Sequence, residues 1–278
     1  MKKNGKKFLK ILALITAIIL IVVVCWFVNA LCGNPVSHML ARQEAETWLK
    51  GRFPNSDYYI EDVSFNFKDT NYYAHCRSKS SMDTQFTLYI NMFGQGYYDT
   101  YENVLNGYVT SRRLNEEYMA LTDQIFDSSD FPLSSDMKFG MLEIYPQEAI
   151  SNPLVTDVPD YALVQEELIL DKIYDIRELG AQAGHLVVYV DSETITYESA
   201  AKMLLDIRAE FDRVNIPFRA INFVLWHPRS DEGIRPEGSI RVEEFLYEDI
   251  YEEGLVERIK TADAALKAYY AEQDAKGK

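Results

Sequence analysis

Cysteine is scarce: Cys25, Cys32 and Cys76 are the three in 278 residues, at spacings that form neither a disulfide framework nor a zinc site. Stability must then come from burial. Histidine is nearly as rare, with His38, His75, His185 and His227 scattered along the chain. No His-Glu-x-x-His, Gly-x-Ser-x-Gly, phosphate-loop or dinucleotide fingerprint occurs, so the residues call for no metal and no cofactor. Charge is missing from one region altogether. From Ile11 to Ala41 there is no Lys, Arg, Asp or Glu, and no acid precedes Glu44.

That uncharged region contains the longest apolar run, Ile11 to Leu31, interrupted by Thr16 and Asn29. At about 1.5 Å per residue a helix of this length matches the roughly 30 Å hydrocarbon core of a bilayer. Lys2, Lys3, Lys6, Lys7 and Lys10 make residues 1–10 a basic segment on its near side. Flanking charge of this kind predicts a single-pass transmembrane helix over 11–31, with the N-terminus cytoplasmic and the remainder extracytoplasmic at the cell membrane. The lipid bilayer is then the partner of Ile11 to Leu31. A cleavable signal peptide, with Val28 and Ala30 near the cleavage point, is the alternative, but its apolar core would be shorter.

Beyond the run the chain is strongly acidic. Five of its 28 basic residues but none of its 43 acidic ones precede the run, so the C-terminal remainder carries a net charge of −20. Such a surface repels nucleic acid and anionic headgroups, which excludes nucleic acid as a partner.

Periodicity divides this part into two α+β domains, 34–128 and 136–278. In the first, Ala41, Ala45, Trp48, Leu49 and Phe53 recur at helical spacing until Pro54. The period then becomes two: Val63, Phe65 and Phe67, then Tyr72 to Ser78 after an Asp69-Thr70-Asn71 turn, then Phe86, Leu88, Ile90 and Met92. A long helix over 101–127, with Leu114, Tyr118, Leu121 and Ile125 on one stripe, is expected to lie across that antiparallel sheet. This helix, sheet, helix order resembles the small cystatin-like domains. The Ser- and Pro-rich stretch Asp127 to Ser135 reads as the boundary.

In the second domain Met137 to Tyr145 reads as a strand, Ser151 to Tyr161 as an irregular connection and Ile176 to Gly184 as a short helix, with Leu163 to Tyr174 open between strand and helix. Leu186 to Val190 is a continuous apolar run. Ala200, Leu204, Ile207, Phe211 and Val214 step at helical spacing, and Phe218 to Trp226 is a second apolar run. This predicts a βαβ unit in a mixed sheet covered by helices, with a further strand over 239–247. A last helix carries Leu255, Ile259, Ala262, Leu266 and Tyr269, and its tail from Ala271 is expected to fray.

The strings GNPVSHML (33–40), YYIEDVSFNFKDTNYYAH (58–75), LDKIYDIRELG (170–180), GHLVVYV (184–190) and RVEEFLYEDIYEEGLVER (241–258) resemble those of the YfjL-like family of single-pass bacterial membrane proteins. The resemblance implies an anchor and a two-domain layout, and it carries no site residue.

Candidate chemistry is sparse. Ser135 to Lys138 and Ser199 to Lys202 are Ser-x-x-Lys strings, but no Lys-Thr-Gly or Lys-Ser-Gly accompanies them. His75 and Cys76, adjacent on a strand, point to opposite faces and form no dyad. The carboxyl ends of the two βαβ strands bring Asp191 together with His227 and Arg229, where α/β ligands commonly bind. Tyrosine is abundant, 19 in all, and Tyr73 and Tyr89 would stand on the outer face of the first sheet, able to stack on a peptide or glycan. The leading expectation is an extracytoplasmic binding module for an envelope protein, peptide or glycan, without catalysis. The alternative is an envelope hydrolase using Asp191 and His227.

Overall fold

The computed structural model describes residues 2–135, 137–155 and 158–276. The side chains of residues 2–9 and 276 lie outside the described ones, and with them Lys2, Lys3, Lys6 and Lys7 of the basic segment. So do residue 136, within the first Ser-x-x-Lys string, residues 156 and 157 of the irregular connection, and the end of the expected fraying tail. The protein is α+β with a long apolar N-terminal helix, and it divides into two compact units, Met1–Val109 and Thr110–Lys278.

In the first unit, α1 (Lys2–Cys32) is long and apolar enough to cross a membrane by length and composition, a test that a signal sequence also passes. Its side chains from Ile11 to Leu31 are exposed. Gly33, at φ 70°, ends it; a Cβ there would lie 2.6 Å from the Tyr72 hydroxyl. Asn34 then caps α2 (Pro35–Arg52), its side-chain oxygen accepting from the Ser37 N–H at 2.8 Å. The apolar spacing buries Ala41, Ala45 and Leu49 against one face of an antiparallel sheet. Its strands β1 (Tyr59–Asn66), β2 (Asn71–Arg77), β3 (Gln85–Ile90) and β4 (Gly96–Asp99) lie in sequence order. Strict alternation along β2 and β3 sends Tyr72, Ala74, Cys76, Phe86, Leu88 and Ile90 inward. Cys76 is a buried free thiol whose pKa burial pushes up to about 12, and His75 faces the other way to Thr87.

The helix expected over 101–127 is two. A short α3 (Glu102–Leu105) stops at Asn106 and Gly107, the latter at φ 79°, and α4 (Tyr108–Phe126) begins anew. The glycine adopts a left-handed backbone that a helix interior does not accommodate. Nor does the stripe cover the first sheet: Leu114, Tyr118, Ile125 and Phe126 are buried in the cores of the second unit. The division therefore falls inside α4, at Val109 and Thr110, rather than in the loop 127–135.

The second unit holds β5 (Met137–Leu142), β6 (Ile144–Tyr145), α5 (Gln147–Ser151), β7 (Leu163–Val164), α6 (Ile176–Ala183), β8 (Gly184–Asp191), α7 (Tyr197–Arg213), β9 (Ala220–Trp226), β10 (Ser239–Leu246) and α8 (Leu255–Lys276). Its main sheet has the order β10-β9-β8-β5; β8 and β9 run parallel through the α7 crossover and the other pairs are antiparallel. Leu186 and Val188 of β8, Phe223 and Leu225 of β9, and Leu204 and Phe211 of α7 form the centre of the core, each contributing roughly 1.5–3 kcal/mol by burial. A satellite core gathers Leu114 and Tyr118 with Leu142 and Leu179. Tyr118 requires glycine at two neighbours: a Cβ on Gly184 would sit 2.4 Å from its hydroxyl, and one on Gly180 would sit 2.6 Å from its ring. The fully buried Asp263 of α8 accepts from the Tyr197 hydroxyl (2.9 Å), the Arg241 N–H (3.1 Å) and Lys267 (2.7 Å), so α8 covers the edge of β10. The helix runs to Lys276.

Candidate functional site

Three places collect polar or aromatic side chains beyond what packing uses. The first is the outer face of the first sheet. Strand register places Ser64, Tyr73, Tyr89 and Tyr98 in one row across β1 to β4. The Tyr73 and Tyr89 rings are 4.6 Å apart, Tyr89 and Tyr98 5.4 Å, and Tyr97 joins from a bulge at 6.4 Å. Tyr97 and Tyr98 are more than half exposed. Tyr73 is fixed at its tip: its hydroxyl donates to Asp69 and accepts from the Asn66 amide at 2.8 Å. The bond to Asp69 lowers the Asp69 pKa and raises that of Tyr73. The next row is polar, His75 meeting Thr87 at 3.1 Å, and Arg77 pairs with Glu61 at 3.1 Å. Tyr73 and Tyr89 are thus adjacent in a larger aromatic row, as a stacking surface demands.

The second place is the rim where β8 and β9 end. Asp191 and Trp226 are partners in the parallel ladder, and His227 comes directly after. The decisive residue here is Arg235, which sequence spacing did not single out. Its guanidinium donates to the Asp191 carboxylate and to the His227 carbonyl, and stands 3.8 Å from the centroid of the Trp226 ring. Asp191 is therefore held in an ion pair, and among the described residues no hydrogen bond joins it to the His227 ring. Arg229 turns away to the Gly233 carbonyl at 3.1 Å. The three named residues are near one another in the fold without forming an acid–imidazole pair. Ser199 of the second Ser-x-x-Lys string lies in the capping box of α7, exchanging hydrogen bonds with Thr196, and Lys202 pairs with Asp206. In the first string, the Ser135 hydroxyl donates to the Met137 carbonyl.

The third place had no signal in the sequence. Glu143 and His185, each side chain about 95% buried, meet at 2.7 Å through Oε1 and Nδ1, and the Tyr161 hydroxyl lies 3.2 Å from the same Nδ1. Glu143 Oε2 and His185 Nε2 are buried with no hydrogen-bond partner among the described residues. Tyr161 opens onto a cleft of about 560 Å³ that it shares with Asp160, Arg219 and Glu244. Burial, reinforced by Glu143 and Glu244, raises the Tyr161 pKa and keeps the phenol neutral. Burial also raises that of Glu244, which His185 opposes and Glu143 and Asp160 reinforce. Among the described residues no group of three or more His, Cys, Asp or Glu is arranged to hold a metal ion.

Comparison with known families assigns both halves. Residues 8–100 match the YfjL-like N-terminal domain and residues 117–260 the YfjL-like C-terminal domain. The chain belongs to the YfjL-like family. The interval between the two matches, 101–116, contains the Val109/Thr110 division of the fold. No curated protein and no solved structure matches the chain. The tyrosine row accordingly lies in the YfjL-like N-terminal domain up to Tyr98, while the Arg235 rim and the Tyr161 cleft lie in the YfjL-like C-terminal domain.

Proposed function

We propose that this YfjL-like protein is a membrane-anchored extracytoplasmic binding module, tethered by Ile11 to Leu31, whose cystatin-like N-terminal domain engages an envelope protein, peptide or glycan through its tyrosine row. The observation that carries the reading is the contact series Tyr73, Tyr89 and Tyr98 on the outer face of a sheet whose inner face is already filled by α2. Rigid aromatic rings supply stacking area at low conformational cost, and the flanking His75, Arg77 and Glu61 offer hydrogen bonds beside it. The hydrolase alternative draws less support, because the Asp191 carboxylate is paired with Arg235 rather than with the His227 ring.

The test is photocrosslinking of the full-length protein in intact cells, with a photoreactive phenylalanine in place of Tyr98 and, as control, of Tyr269 on α8. An adduct from position 98 alone, abolished when Tyr73 and Tyr89 are both alanine, supports the reading. No adduct at 98, or one indifferent to those two tyrosines, refutes it. Protease added to the same intact cells should digest both units. Protection that disappears on permeabilisation would place them in the cytoplasm instead.

A further inference from the structure

The Tyr161 cleft is in the other unit and independent of the tyrosine row. We propose that it binds a small zwitterion with the chemistry of a free α-amino acid, the ammonium held by Asp160 and Glu244 and the carboxylate by Arg219.

Its size, about 560 Å³, is in the range of small-molecule sites, and Asp160, Tyr161, Arg219 and Glu244 supply convergent polar groups beside the apolar Val158, Pro159 and Leu246. The charges decide the ligand class. Two carboxylates and one guanidinium line the cleft, with the buried Glu143 behind Tyr161. A simple anion would meet two like charges, and a simple cation would meet Arg219. A molecule carrying both signs on neighbouring atoms finds a partner for each.

The backbone that carries two of these side chains is firmly held. The Arg219 backbone is tied on both sides, its N–H to the Gly184 carbonyl and its carbonyl to the Tyr247 N–H at 2.9 Å. Among the described residues its ion-pair partner is Glu248 at 3.4 Å, itself 63% exposed, a weak rim contact that leaves the guanidinium available. Glu244 sits on a β-bulge at φ 50°, where a non-glycine residue is strained, and its N–H is anchored on the Asn222 side chain at 2.7 Å. Bulges of this kind re-aim a side chain, and strain of this kind collects at ligand sites. The wall residue Tyr161 is held from behind by His185. Behind it Glu143 Oε2 and His185 Nε2 are buried with no hydrogen-bond partner among the described residues, a departure from ordinary packing that calls for an explanation.

The experiment titrates each of the twenty common amino acids into the full-length protein in detergent micelles, read by saturation-transfer NMR and calorimetry. Saturable binding of at least one is expected. Its amide, which lacks the carboxylate, and its N-acetyl derivative, which lacks the ammonium, should each bind at least tenfold more weakly. Arg219→Gln should weaken binding tenfold or more, while Arg213→Gln, a surface arginine paired with Glu210, should not change it. Absence of saturable binding by all twenty, or equal binding of the amide or N-acetyl derivative, overturns the proposal. So does an unaffected R219Q protein. If R219Q does not fold, the two derivatives on the unaltered protein decide the matter.

Discussion

In the first unit the candidate site, Tyr73, Tyr89 and Tyr98, lies on the solvent side of a sheet whose other face packs an apolar cluster, with Asp83 and Thr84 also buried in that unit. In the second the polar groups of interest are inside: Glu143, His185 and Asp263 are among its most buried residues. An outer aromatic row can be altered with little cost to folding, because nothing beneath depends on it. A buried carboxylate cannot, because each partner left behind is an uncompensated polar group in a poor solvent. The contrast separates two kinds of functional surface, one dispensable to the fold and one built into it.

The largest effect expected from that contrast is at the buried pair. Glu143→Leu leaves His185 with the longer Tyr161 contact alone and should destabilise the second unit by about 3 kcal/mol. Joining it with His185→Leu removes both polar groups and should bring stability back to within about 1 kcal/mol of the original. Chemical denaturation of the single and double variants measures the difference. If the double variant is no more stable than the single, Glu143 and His185 do not compensate each other's burial. On the other side of the comparison, Tyr73→Ala with Tyr89→Ala should cost the first unit no more than about 1 kcal/mol, the scale of one cross-strand pair, while removing the crosslink at position 98. A loss of several kcal/mol would make the row a structural element. Smaller again is Thr70→Gly in the β1–β2 turn. Thr70 holds φ 56°, unfavourable for a β-branched residue, so glycine should stabilise by about 0.5 kcal/mol once its greater unfolded-state freedom is deducted.

Much of this was legible in the chain itself. The period-two segments became β2 and β3 with inner and outer faces as expected, which is why Tyr73 and Tyr89 could be placed on one face, and Leu186 to Trp226 became the βαβ unit. What failed depended on long-range geometry. The stripe from Leu114 to Ile125 shows that a helix has a buried side, but not which sheet buries it. The break at Asn106-Gly107 is readable in hindsight, since that dipeptide can stop a helix. Arg235 reaches Asp191 from a polar loop 44 residues further along the chain, and no local pattern marks which loop arginine will do so. Glu143 and His185 meet because β5 pairs with β8 in one register, with Glu143 N–H on the Ala183 carbonyl just beyond it. Tyr161 joins them from an irregular segment that carries no periodicity at all.

The smallest effect, and the one that addresses both units at once, is the response to pH. In the first unit Asp57, through its hydrogen bonds with Ser78 and Ser80, and Asp69, through Tyr73, have pKa values below the ordinary 3.8. Such groups add stability that is complete above 3.8 and lost as the pH falls through their lowered folded values. In the second unit burial raises Glu244 above 4.5 and Asp123 above 3.8. There the folded state retains a proton that the unfolded chain has released, so the stabilisation is full below those ordinary values and lost as the pH rises through the raised ones. Acidifying from neutrality toward 4.5 should therefore strengthen the second unit and leave the first unchanged, and further acidification below 3.8 should weaken the first. All four carboxyls are solvent-screened, which keeps the shifts small. Hydrogen exchange followed separately in β2–β3 and β8–β9, corrected for intrinsic rates, resolves the two. Glu244→Gln should flatten the response of β8–β9 alone. Parallel responses of the two regions across the whole range would show that the units do not differ in how they hold their charged groups.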